Sequence, residues 1–242
     1  MNPTSKKIMI LHPMLKLAEG EREYFAGVED VDVVDVKQGP DVIRSRVDQA
    51  LAGVDSVRLA KEAERAGYGA IVIDCHGDPN LYHLREAVRI PVLGVMQVAM
   101  HFCSMLAHRF SIIVPEELYT KRSKEDLIIR YGFESKIASV RMIAFGKPLD
   151  VIAELSRRKP APKEIIEPAF RECIAAIKDD DAGAITFGCA ALFNTVDELE
   201  KRLREKGFEV PIINPLPFTV EVARLLINQK ISHSTVSFPL AE

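Results

Sequence analysis

Two stretches, GAIVIDC at 69–75 and GAITFGC at 183–189, decide how this chain folds. Each opens on Gly-Ala, continues as a short run rich in β-branched residues, and closes on a cysteine. A brief apolar run of this kind between helical segments is the pattern of a strand buried on both faces of a parallel sheet. The two share Gly, Ala, Ile and Cys at the same offsets, 189 − 75 = 114 residues apart. Each is followed by helical sequence, then by a strand opened by proline (IPVLGV at 90–95, VPIIN at 210–214), then by another helix. The order of parts repeats, which points to an internal duplication.

Outward from these runs the alternation continues. KKIMIL (6–11) and VDVVDV (31–36) read as strands ahead of the first stretch; RFSIIV (109–114) and Ser139–Phe145 read as strands ahead of the second. Helices are expected over 41–67, with a break near Gly53, and over 147–158, 163–178, Val196–Lys206 and Phe218–Lys230. Strands alternating with helices give an α/β fold. The expectation is two pseudo-symmetric α/β lobes with mainly parallel sheets. The first comprises 1–97 plus 215–242 and carries Cys75; the second comprises 98–214 and carries Cys189. The active site is expected in the cleft between them.

Composition narrows the function. With 32 Lys and Arg against 35 Asp and Glu, the net charge is −3, so no basic excess draws the chain to nucleic acid or to an anionic membrane. The longest nearly apolar stretch, Ile90–Met100, contains Gly94 and Gln97 and is too short to span a bilayer. The opening MNPTSKKIMILHP lacks the apolar run of a secretory leader. Four cysteines with no CxxC pair fit reduced thiols, so the reading is a cytoplasmic protein acting on a small molecule. Gly27, Gly39 and Gly53 form no GxGxxG, and the histidines have no metal-ligand spacing with the cysteines; neither a dinucleotide cofactor nor a metal is expected.

Cys75 and Cys189 stand just past strand ends, where open α/β sheets bind ligands, and each has a glycine close by (Gly77, Gly188). Asp78-Pro79 reads as a helix N-cap with proline at the first helical position, and Thr195-Val-Asp-Glu198 as a capping box. A thiol near such a helix start has its thiolate stabilised by the dipole and by open N–H groups. Two such sulfurs, one on each side of a carbon, suit the transfer of a proton from one face to the other: one as thiolate base, the other as thiol acid. The alternative is a pair of small buried hydrophobes, the reading that fits Cys103 and Cys173 on their apolar helical stripes. Asp78 is open between orienting a substrate and capping a helix. His12, after the first strand, is a candidate binding residue, and His76 a neighbour of the first sulfur.

At these residues the sequence resembles the aspartate/glutamate/hydantoin racemase superfamily, most closely its hydantoin racemase branch. DCHGDPN (74–80) is similar to the branch's Cys-x-Gly-Asp-Pro segment, FGCAAL (187–192) to its Gly-Cys segment, HRFSIIV (108–114) to the strand opening its second half, and ISHSTVSFP (231–239) to its tail. The resemblance implies a cofactor-independent racemase or epimerase with Cys75 and Cys189 as catalytic residues, and with His12, His76, Gly77, Asp78, Ala190 and Ala191 bordering the substrate. It also implies a homo-oligomer. The sequence departs from the family where an Asn-Pro-Asn-Thr-Ser type loop becomes His12-Pro13-Met14-Leu15-Lys16. The hydroxyl and amide groups that follow the cysteines of glutamate racemases are replaced by His76 and by Ala190-Ala191. That favours a neutral substrate such as a 5-substituted hydantoin over an amino acid. The competing readings are another enzyme of the superfamily, an isomerase or decarboxylase working through an enolate, and a two-lobed binding protein without catalysis.

Overall fold

The computed structural model describes residues 6–16, 19–158 and 160–241. These form two compact units, one of 1–95 with 219–242 and one of 96–218. The chain passes between them twice, at Val95/Met96 and at Phe218/Thr219.

The first unit is built on a parallel sheet of β1 (Ile8–His12), β2 (Val31–Asp35), β3 (Ala70–Ile73) and β4 (Val92–Gly94), in the order β2-β1-β3-β4. Every residue of β1 and β3 is buried, the signature of central strands covered on both faces. The connecting helices are α1 (Glu19–Tyr24), α2 (Arg46–Arg65) and α3 (Leu81–Ala87). The chain then enters α4 (Val95–Leu106), which carries it into the second unit.

The second unit repeats the design with β5 (Phe110–Pro115), β6 (Ile137–Ile143), β7 (Ala184–Phe187) and β8 (Ile212–Ile213), in the order β6-β5-β7-β8 and again parallel throughout. Its helices are α5 (Leu118–Tyr131), α6 (Leu149–Ser156), α7 (Lys163–Lys178) and α8 (Val196–Glu205), with α9 (Pro215–Gln229) leading back to the first unit. Taken strand for strand the two sheets have one order, so the duplication read from seven residues extends to the whole topology.

Several local expectations need correction. α2 runs unbroken through Gly53. Its start is fixed by Ser45, whose hydroxyl accepts from the Asp48 N–H at 3.0 Å. Gly53 is tolerated because the Asn80 side chain packs there, 3.0 Å from where a Cβ would stand, and donates to the carbonyl of Gln49 at 2.7 Å. Asp78 and Pro79 do not start α3. Asp78 is left-handed (φ 43) and fully buried, and α3 begins at Leu81 after a left-handed Asn80 (φ 56). The carboxyl of Asp78 is packed over Gly94 instead of facing the helix. Thr195 makes no capping bond, because it already lies in helical geometry (φ −94, ψ −12) and its hydroxyl donates back to the Leu192 carbonyl at 2.6 Å. Along α4, Ala99, Met100 and Cys103 are buried, whereas Leu106 at its end is exposed.

Candidate active site

In both sheets the two central strands, β1 and β3 or β5 and β7, send their crossovers in opposite directions. Their carboxyl ends are therefore the switch point at which such sheets bind ligands. Both cysteines stand there, placed by the same device. The N–H of Asp74 donates to the Leu11 carbonyl, and the N–H of Gly188 to the Ile113 carbonyl, each at 2.9 Å. Strand pairing thus runs one residue past β3 and past β7, and the next residue is the cysteine. Cys75 and Cys189 are partly exposed, whereas Cys103 and Cys173 are buried. Burial pushes the thiols of Cys103 and Cys173 up to about 12, which leaves them as inert core.

After Cys75 the chain turns at once. The Asp78 N–H donates to the Cys75 carbonyl at 2.9 Å, with His76 and Gly77 forming the corner. A Cβ on Gly94 would stand 2.6 Å from the Asp78 Cγ, so only glycine on β4 admits this turn. His76 and Asp78 are both buried. After Cys189 the chain enters a 3-10 helix (Ala190–Thr195) directly, and the Leu192 N–H donates to the Cys189 carbonyl at 3.2 Å. Ala190 and Ala191 form its first positions. Gly188 is as constrained as Gly94: a Cβ there would stand 2.7 Å from Val114 Cγ1 and 2.8 Å from Lys124 Cε.

His12 ends β1 and is 2% exposed, with Nδ1 3.3 Å from Asp35 Oδ1. Asp35 is its registered partner on β2 and is also bound by Arg22 of α1. Burial opposes the charge on Asp35, but the neighbouring His12 and the bond from Arg22 outweigh it and hold this carboxyl below the usual carboxylate range. Asp74 is fully buried, and neither of its oxygens has a hydrogen-bond partner among the described residues. Its pKa is raised to about 6, first by burial and then by Asp35, against the pull of His12. Sequence reasoning passed over Asp35 and Asp74. The available signal was an acid closing each of two apolar strand runs that flank the strand ending in His12. Among the described residues no three His, Cys, Asp or Glu side chains converge as a metal site. No helix among them is long and apolar enough to cross a membrane.

A family model described as Asp/Glu/Hydantoin racemase matches residues 14–223. The chain belongs to the Asp/Glu/hydantoin racemase family. It is thus a racemase, an enzyme of the isomerase class. This racemase is 31% identical over 230 residues to a hydantoin racemase of Pseudomonas sp. (strain NS671), covering 92% of this chain and 86% of that protein. It is 28% identical over 214 residues to a hydantoin racemase of Paenarthrobacter aurescens, covering 87% of this chain and 84% of the relative. Among solved structures it is similar to an allantoin racemase from Klebsiella pneumoniae, with a TM-score of 0.82, 26% identity, and coverage of 98% of this chain and 94% of the other.

Proposed function

We propose that this racemase works without a cofactor, that Cys75 and Cys189 are its acid and base, and that its substrate is a 5-substituted hydantoin. One observation carries the proposal: the same strand, pairing and cysteine recur at equivalent ends of two duplicated sheets. A single catalytic thiol would not require the second copy.

In this reading one sulfur, as thiolate, takes the proton from the ring carbon beside the carbonyl, and the electron pair moves onto the carbonyl oxygen as an enolate. The other sulfur, as thiol, returns a proton to the opposite face, and the roles exchange for the mirror-image substrate. Gly77, Ala190 and Ala191 leave the backbone next to each sulfur open, so its N–H groups can approach the enolate oxygen. His12, His76 and Asp78 are the polar side chains proposed to border the substrate at the first strand end. Ala190-Ala191 offers no side chain to hold a carboxylate, which supports a neutral ring over a free amino acid. The named activities of the relatives support the same class, since allantoin is itself a hydantoin carrying a ureido group. A cytoplasmic setting, with both thiols reduced, belongs to the proposal.

Incubating each enantiomer of a 5-substituted hydantoin in deuterium oxide, with no added cofactor, tests this. Polarimetry should show loss of optical rotation, and deuterium should enter the stereocentre from either hand. Cys75→Ser and Cys189→Ser should each abolish racemisation while one-sided exchange of a single enantiomer survives. Near wild-type racemisation in either variant would eliminate the two-base mechanism. Loss of carbon dioxide from an arylmalonate-type acid, with no racemisation of hydantoins, would place the chain among decarboxylases.

A further inference from the structure

Asp35, His12 and Asp74 stand in one row across three neighbouring strand ends. His12 is registered with Asp35, and Leu11 with Ile73; one residue beyond that pairing, His12 and Asp74 come side by side. Residues in register on parallel strands point to the same face, with strands about 4.8 Å apart, so the imidazole lies between the two carboxyls. Asp35 is already matched by Arg22. Asp74 has His12 as its neighbour and no hydrogen bond of its own among the described residues, directly before Cys75 in the chain.

The fold does not require an acid at this position. Its counterpart in the duplicated sheet, 74 + 114 = 188, is Gly188, which makes the same backbone bond and is followed by a cysteine in the same way. A buried carboxyl without hydrogen bonds destabilises a protein, so one placed directly before a candidate catalytic thiol points to a task there.

We propose that Asp74 is a positioning residue that acts on Cys75 electrostatically, its negative charge keeping the proton on this sulfur, so that Cys75 rests as the acid and Cys189 as the base. This rests on the reading of Cys75 as a catalytic thiol. The charged and titratable groups around Asp74 are His12 from β1, Asp35 from β2 and, through Asp35, Arg22 from α1. His76 and Asp78 follow in the turn, and the uncharged Val95 follows Gly94 on the neighbouring strand. Ionised Asp74 places a negative charge one residue before Cys75 and disfavours its thiolate. Behind Cys189 no such charge follows from the sequence, because Gly188 has no side chain. The enzyme would then first receive the enantiomer whose proton faces Cys189.

Iodoacetamide alkylation reads this without substrate. In a Cys189→Ser background, Cys75 is followed by peptide mass mapping between about pH 6 and pH 10, where the buried Cys103 and Cys173 stay silent. Asp74→Asn should move the Cys75 profile to lower pH by about one unit, making alkylation near neutrality roughly ten-fold faster. Asp74→Gly, which copies the second sheet, should do the same and covers the case in which asparagine packs badly. A profile that stays in place in both variants, each folded by circular dichroism, overturns the proposal. A shifted profile in a protein that racemises nothing leaves the role of Asp74 standing and removes the proposed activity.

Discussion

At the scale of single residues, Asp74 shows what this site costs the fold. A free aspartate has a pKa near 3.8, and in the folded chain Asp74 is raised to about 6, chiefly by burial. The folded state therefore binds its proton more tightly than the unfolded state does. Below about pH 3 the group is neutral in both states and has little effect. As pH rises towards 6 the unfolded chain ionises freely while the folded chain resists, so stability falls and then levels off. Asp74→Asn removes this penalty. The variant should be more stable than the wild type above about pH 6, by about 1–3 kcal/mol, and no more stable at about pH 3. Urea midpoints at the two pH values check it; equal midpoints at both would mean that Asp74 ionises in the fold without strain. A variant that gains stability while Cys75 becomes more reactive is the expected pattern for a residue kept for function.

At the scale of elements, sequence patterning found most strands and helices but passed over α5. Its segment, 116–138, has no apolar periodicity because the face that α5 buries is polar: Thr120, Ser123 and Lys124 are buried there together with Leu127 and Ile128. Periodicity of apolar residues cannot reveal a face made of hydroxyls and a lysine stem. α2 shows the reverse case, in which Gly53 looks like a breaker until the Asn80 side chain is seen packed against it. The C-terminal tail is an element of another kind, tied down by side chains after α9. His233 Nε2 lies 2.7 Å from the Val92 nitrogen and 2.9 Å from its carbonyl oxygen, and Phe238 meets His233 edge-on and lies beneath Arg85. The pKa of His233 is lowered to about 4, by burial first and then by Arg85, against the bond to the Val92 backbone. A depressed histidine contributes stability that is present above its unfolded value near 6.5 and is lost as pH falls through the folded value. The tail should therefore loosen between about pH 6.5 and pH 4. Hydrogen exchange at the Val92 amide measures this, and acceleration over that range should be absent in His233→Gln.

At the scale of the whole molecule, the first unit is discontinuous, since 219–242 completes what 1–95 begins. Arg224 of α9 grips Asp30 with two bonds of 2.8 Å, and Ile227 covers Gly69 at the start of β3. Ending the chain at Phe218 should strip this support from the first unit and leave 96–218 intact. Limited proteolysis should then cut within 1–95 and spare the second unit. Equal resistance of both units would show that the closing segment contributes nothing.

The sequence by itself determined the fold class, the doubled order of parts and the two cysteines at equivalent strand ends. Strand alternation, Gly-Ala openings and a cysteine after each run are local features, and local features survive in a one-dimensional record. The tertiary structure alone decided what surrounds Cys75: the row of Asp35, His12 and Asp74, the left-handed Asp78 against Gly94, and the absence of the expected caps. Those groups lie on different strands and meet through parallel register, which joins positions 12, 35 and 74 only after the sheet has formed.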